Sequence, residues 1–317
     1  MGAVLVPKLL DAGYEVRVID LFIYGDDVLR SCEGRKGYSA MKADIRDRQE
    51  MERALEGMDA VIHLACISND PSYELNPALG RSINYDAFLM MLELLAKKPV
   101  KRFVYASSSS VYGVKSDPEV TEELPLEPLT DYSKYKAFCE EELLRRAPEG
   151  MTTLIVRPAT VCGWSPRLRL DLTVNILTHH AVRMGEISVF GGGQKRPNIH
   201  IDDMTDFYVQ SLRWPHAQVH RRIYNVGYEN HTVDQIAEMV RAEVGESVRI
   251  KRVPTDDNRS YHVSSEKVAR ELGFRPKRTI VDAIRDLKKA FADGRVPDSM
   301  DGSRYYNIKR MQEIDLR

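Results

Sequence analysis

Arg102-Phe-Val-Tyr-Ala106, running directly into Ser107-Ser-Ser-Ser110, is a short apolar run that ends in hydroxyls. An apolar run without polar alternation is how a strand covered on both faces reads. Similar runs recur at 15–20, 60–64 and 152–157, with helical segments at 76–97 and Asp131–Arg146 between them. The first helical segment stops just before Pro99 and the second just before Pro148, since a residue ahead of proline is pushed out of the helical region. Strand alternating with helix implies an α/β protein built on a doubly wound parallel sheet.

Beyond Gly163 the alternation breaks into shorter pieces. A helix is expected near 172–184, a glycine turn at 191–193, strands around Asn198 and Ile223, and helices at Val233–Val244 and 280–291. This half reads as a smaller α/β cap interleaved, near 198–227, with the last strands of the sheet. No repeat, low-complexity tract or Ser/Gly linker separates the halves, so 1–164 and 165–317 are expected to pack as one unit.

A chain of 317 residues with 43% hydrophobic and 29% charged content has a globular composition. A formal net charge of -1 offers no global attraction to nucleic acid or an anionic membrane, leaving small molecules or protein as expected partners. No stretch has the roughly 18 apolar residues of a membrane span, and no basic-then-apolar leader opens the sequence, so a cytoplasmic location is expected. Cys32, Cys66, Cys139 and Cys162 lie far apart with no CxxC pair and read as reduced thiols. His179 and His180 have no further ligand at metal-binding spacing, so no metal is expected. His63 reads as a packed strand-end residue.

The start of the chain is unusual for such a sheet. A dinucleotide-binding sheet opens with a strand and a glycine-rich turn, whose amides and helix N-terminus hold a diphosphate. Here Gly2 leads at once into the helical-looking stretch 4–10, stopped by Asp11-Ala-Gly13, and then into the strand ending at Asp20. Loss of a central strand would open two edges and an apolar gap, so the reading frame is expected to continue upstream into a strand and glycine loop. Asp20 then falls at the place of the acid that binds the adenosine ribose, which favours NAD over NADP.

Tyr132-Ser-Lys-Tyr-Lys136 follows the serine run on a helix, and spacing of four puts Tyr132 and Lys136 on one helix face. A tyrosine of ordinary pKa, about 10, is a poor base at neutral pH unless a nearby ammonium favours its phenolate. Taken with Tyr105-Ala-Ser-Ser-Ser-Ser-Val-Tyr-Gly113, the sequence resembles the extended short-chain dehydrogenase/reductases, in particular the UDP-galactose 4-epimerase-like branch of the NAD-dependent nucleotide-sugar epimerase/dehydratase family. That resemblance implies a Rossmann-like fold, NAD as cofactor, a nucleotide-diphosphate sugar as substrate, and a homodimer formed through the helices at 76–97 and Asp131–Arg146.

Residue by residue, the resemblance implies Ser108, Tyr132 and Lys136 as the catalytic group. It assigns Gly2, Asp20, Asp44, Ile45, Leu64, Ala65, Asn84 and Pro158 to the cofactor, together with Tyr132 and Lys136. Ser109, Ser110, Thr160, Asn175, Arg196 and Arg259 fall to the substrate, the arginines suiting its diphosphate. Tyr132 would take a proton from a sugar hydroxyl as hydride passes to NAD+, with Lys136 holding the phenolate. Dehydratases of the family carry Asp-Glu where this chain has Ser109 and Ser110, so epimerisation is favoured over water elimination. Thr160 and Cys162 depart from the usual asparagine and tyrosine, placing sugar recognition apart from the familiar epimerases. Two alternatives stay open: a dehydratase or related oxidoreductase, and a non-catalytic NAD-binding scaffold if the missing strand is genuinely lost.

Overall fold

The computed structural model describes residues 1–115, 117, 119–255 and 262–316. Along the chain, α1 (Gly2–Asp11), β1 (Val16–Asp20), β2 (Tyr38–Lys42), α2 (Arg48–Leu55) and β3 (Ala60–His63) come first. Then follow α3 (Asp70–Glu74), α4 (Pro77–Arg81), α5 (Ala87–Lys97), β4 (Arg102–Ala106), α6 (Asp131–Arg146), β5 (Thr152–Pro158) and β6 (Thr160–Cys162). The second half holds α7 (Thr173–Met184), β7 (Glu186–Phe190), β8 (Lys195–His200), α8 (Ile201–Ser211), α9 (His216–Val219), β9 (Arg222–Val226) and β10 (Glu229–Thr232). It ends with α10 (Val233–Val244), β11 (Arg249–Val253), α11 (Glu266–Leu272), α12 (Ile280–Ala292) and α13 (Asn307–Glu313).

The apolar runs form the sheet expected of them. Strands β3, β4, β5 and β9 lie parallel in that order, so β9 comes from the second half into the first sheet. Strands β1 and β2 pair in parallel as a separate ribbon. The second half adds two small sheets, β10-β8-β6 and β11-β7. One apolar core runs through both halves, joining Leu5 and Leu9 of α1 to Val104, Val156, Phe207 and Phe274. The halves therefore pack as one body.

Between β1 and β3 the sheet is interrupted. Every residue of both strands borders a cavity of about 1380 Å³, at the place where the sequence reading expects a further central strand. The effect on burial is visible: Val104 and Val156, inside the sheet, are fully covered, whereas Val16, Val18, Val61 and Ile62 are only half-buried. Neither facing edge has a strand partner among the described residues.

The segment 76–97 departs from the single helix expected. Asn76 caps α4 by accepting from the Leu79 amide, and Ser82–Asp86 then widens into a π-turn before α5. The cause is Asn84: its side chain donates to the Ile67 carbonyl and accepts from the Ile67 amide, while its own carbonyl accepts from Cys139 Sγ. A π-turn swings one side chain out of the regular i,i+4 pattern, here to brace the loop that follows β3.

Candidate active site

Three elements bring the catalytic candidates together. Strand β4 delivers the serines, α6 delivers Tyr132 and Lys136, and the loop after β3 closes the side. Thr130 starts α6 with a capping box, its hydroxyl accepting from the Ser133 amide, so Tyr132 falls in the first turn and faces the cavity. Ser108 caps the short turn Ser109–Tyr112, with its Oγ accepting from the amide and hydroxyl of Ser110 at 3.1 and 2.9 Å. The Ser108 hydroxyl is near enough to the Tyr132 phenol to favour its ionised form.

Lys136 is buried, with Nζ 2.7 Å from the Ala106 carbonyl and 5.1 Å from the centre of the Tyr105 ring. The sequence reading gives this ammonium to the Tyr132 phenolate; in the structure one of its three protons goes to the carbonyl at the end of β4. Burial pushes the Tyr132 phenol above its ordinary range, with the Cys66 thiol and the Asp70 carboxylate adding to the rise. The Ser108 hydroxyl and the Arg169 charge pull the other way. Cys66 and Arg169 thus act on the Tyr132 phenol, and the sequence reading gave neither of them a role there.

A buried charge network fixes this arrangement from below. Glu140, one helical turn after Lys136, accepts from the Arg157 guanidinium at 2.6 to 3.2 Å and from the Ser107 hydroxyl. Arg157 also donates to Tyr112, whose hydroxyl donates to Asn225. Helix α6, strand β5 and the serine turn are thereby held in one register beneath Ser108.

On the proposed cofactor side, Gly2, Asp20, Asp44, Ile45, Leu64, Ala65 and Pro158 line the same cavity as Tyr132 and Lys136. Asp20 sits exposed at the end of β1, where its carboxylate accepts from the Phe22 amide. Burial works against the Asp44 carboxylate, but several hydrogen bonds from Arg46 hold it below its ordinary range. Asn84 does not line the cavity: its amide is committed to Ile67, which makes it a brace rather than a contact. His63 lies beside Phe88, Phe103 and Tyr105, and burial, aided by Lys136, lowers its pKa to about 3.

On the proposed substrate side, Ser109, Ser110, Thr160, Asn175 and Arg196 also line the cavity, while Arg259 lies outside the described residues. Asn175 also braces the loop that precedes α7. Its oxygen accepts from the Gly163 amide at 3.0 Å and its nitrogen donates to the Arg169 carbonyl at 2.8 Å, clamping the loop between them. Gly163 itself has φ +104°, and a Cβ there would lie 3.0 Å from His200 Nε2, so the turn into this loop requires glycine.

The loop so clamped projects Arg167 and Arg169 into the cavity. Their alternation with the buried Leu168 and Leu170 was the sequence signal available for them, since an extended segment puts residues two apart on one side. Among the described residues one trio has metal-ligand chemistry, His200, Asp202 and Asp286. It is already satisfied internally: His200 Nδ1 accepts from the Asp202 amide, and Asp202 pairs with Lys8 and Arg278. No described helix is long and apolar enough to cross a membrane.

UDP-glucose 4-epimerase 2 of Arabidopsis thaliana is 27% identical over 324 residues, covering 90% of this chain and 91% of that one. UDP-glucose 4-epimerase of Bacillus subtilis is 26% identical, covering 90% and 92%. Among solved structures, UDP-glucose 4-epimerase of Thermotoga maritima with UDP-glucose superposes with a TM-score of 0.83 at 24% identity, over 92% of this chain and 95% of that one. UDP-glucuronic acid 4-epimerase of Bacillus cereus, in complex with UDP-glucuronic acid and NAD, gives 0.83 at 23% identity, over 92% and 96%. The family model described as NAD dependent epimerase/dehydratase matches residues 1–227, and the chain is an enzyme that belongs to that family.

Proposed function

We propose that the chain is a nucleotide-sugar epimerase that inverts one sugar carbon through a transient keto intermediate. The observation that carries this reading is the meeting of Ser108, Tyr132 and Lys136 on one cavity whose adjoining turn offers only the hydroxyls of Ser109 and Ser110. Water elimination needs a general acid at the leaving hydroxyl, and a serine supplies that poorly. NAD, the cofactor of the family, supplies hydride acceptance and return. Residues 1–164 mainly hold it, with Gly2, Asp20, Asp44, Ile45, Leu64, Ala65 and Pro158 around it, while 165–317 mainly hold the sugar nucleotide.

Within this scheme Tyr132 moves the hydroxyl proton and Ser108 assists that transfer. Lys136 positions the cofactor's ribose and supplies positive charge beneath the phenol. Thr160 and Arg196 contact the substrate, with Arg259 assigned to its diphosphate. The protein works as a cytoplasmic homodimer. The relatives named UDP-glucose 4-epimerase support both the reaction type and a UDP-sugar as the first substrate to try.

The test is interconversion of UDP-glucose, UDP-galactose and their uronic acids by purified protein supplied with NAD, with Tyr132→Phe alongside. Phe keeps the ring and its packing but has no proton to exchange. Turnover by the wild-type chain and its loss in the variant, with NAD binding kept, is the expected result. A variant retaining more than about a tenth of the activity, a loss of under about 1.4 kcal/mol of transition-state stabilisation, removes Tyr132 from the mechanism. A dehydrated 4-keto-6-deoxy product would favour the dehydratase reading.

A further inference from the structure

One buried side chain ties the two halves of the chain together across the cavity. Asn307 opens α13, is 2% exposed, and does not itself line the cavity. Its Nδ2 donates to the Ser68 carbonyl at 3.1 Å and to Ser68 Oγ at 3.2 Å, on the loop after β3. Its Oδ1 accepts from Arg167 Nη2 at 2.6 Å and its backbone amide donates to Asp171 Oδ2 at 3.2 Å, both on the loop before α7. Ser68, Arg167 and Asp171 all line the cavity, so a residue behind the wall holds two parts of it from opposite halves.

The segment that carries Asn307 crosses from one half to the other. Tyr305 packs with Leu168, Leu170 and Leu287, and its carbonyl accepts from the Leu170 amide at 2.9 Å. Met311, one turn after Asn307, packs instead with Ile67, Tyr73 and Ile83 of the first half, in a cluster that Ile45 and Tyr132 adjoin. Asn307 and Met311, four apart, share a buried face, while Lys309, Gln312 and Glu313 are exposed. Met311 and Leu316 line the cavity, so α13 and the residues after it are a single layer between the cavity and solvent. Further ties to the first half run to the loop after β1: Arg304 pairs with Asp27 at 2.8 Å and Arg310 donates to the Ile23 carbonyl. Both residues of the Arg304–Asp27 pair are more than a third exposed, and such pairs contribute little. A segment held by a few hydrogen bonds and one buried apolar side chain opens well below the free energy of global unfolding.

Resting on the assignment of NAD to this cavity, we propose that residues 303–316 form a strap that closes over the bound dinucleotide and lifts to let it in and out. Asn307 is the positioning residue that latches the loop after β3 to the loop before α7 in the closed state. The place of the strap argues for the dinucleotide as the ligand beneath it. It runs from the loop that follows Asp20 to the cluster adjoining Ile45 and Tyr132, and these three residues are assigned to the cofactor.

Hydrogen exchange followed by mass spectrometry on the full chain tests the latch, comparing wild-type protein with Asn307→Ala and Asn307→Asp. In the Ala variant protection should fall together at 303–316, 66–70 and 167–171, with β4 and β5 unchanged. Asp keeps the oxygen that takes Arg167 and loses the NH2 that reaches Ser68, so 66–70 should loosen while 167–171 stays protected. Unchanged protection of the three segments in the Ala variant overturns the proposal, as does a uniform loss through β4 and β5, which would make Asn307 a prop of the whole fold. Release of labelled NAD into excess unlabelled NAD tests the strap as a lid. It should be at least about tenfold faster in Asn307→Ala than in wild type, the equivalent of one net hydrogen bond. Equal release rates overturn the lid and leave the epimerase reading standing, since that reading turns on Tyr132 and the sugar nucleotides.

Discussion

Tyr132 and Lys136 were legible because a spacing of four is a local property of a helix, independent of what packs around it. What acts on them was not. Cys66 acts on the phenol from the loop after β3, 66 residues before Tyr132, and Arg169 from the loop before α7, 37 residues after it. His63 shows how burial governs a titratable group at this scale. The folded protein takes up a proton on His63 only near pH 3, the unfolded chain near 6.5, so between those values the unfolded state binds more protons and stability falls as pH drops. At pH 5 the cost relative to pH 7.5 is on the order of 2 kcal/mol. Urea denaturation at the two pH values should show this extra acid sensitivity in the wild-type protein. His63→Phe, which keeps the aromatic packing, should lack it; an identical pH difference in both proteins would clear His63 of the effect.

Helix α6 carries Tyr132 and Lys136, and its seat on the sheet decides where they stand. Its 16 residues came through from the sequence with both ends correct, because Thr130 caps one end and Pro148 ends the chain's freedom at the other. Its register on the sheet rests on the Glu140–Arg157 pair, in which both side chains are 3% exposed. Removing one partner of such a pair leaves the other charge buried. Glu140→Gln should therefore cost about 3 kcal/mol or more in urea denaturation, and Glu140→Leu combined with Arg157→Met should lose less than the sum of the single changes. Strict additivity would mean that the two groups do not share a buried bond. The break of 76–97 at its π-turn escaped the sequence reading for a related reason: Asn84 leaves helical register for the Ile67 backbone, a partner 17 residues away.

At the scale of the molecule, α5, the π-turn and α6 present a face in which Tyr85, Tyr135 and Phe138 contact one another, with Phe138 43% exposed. Aromatic groups of this kind, clustered on paired helices, suit a second copy of the chain related by a two-fold axis. The proposed homodimer uses this face. Phe138→Glu should halve the mass measured by light scattering at micromolar concentration without lowering the melting temperature of the monomer's own core. A wild-type monomer, or a variant that still dimerises, would place the interface elsewhere or nowhere. The same scale holds the interruption between β1 and β3, which leaves apolar strand residues half-buried around the cavity.

From sequence alone came the alternation that fixes a parallel α/β sheet, the strands on either side of the interruption, and the pairing of Tyr132 with Lys136, because these rest on periodicity and short spacing. Strands β2, β6, β7, β10 and β11 were not read, being short and without a long apolar run to mark them. The tertiary structure decided where charge goes. It tied Lys136 to Ala106, committed the Asn84 and Asn175 side chains to backbone groups of neighbouring loops, and set Arg167 and Arg169 on the wall of the cavity. The physical reason is that a hydrogen bond or a charge is satisfied by whichever group lies within about 3 Å in space, and sequence order does not state that distance.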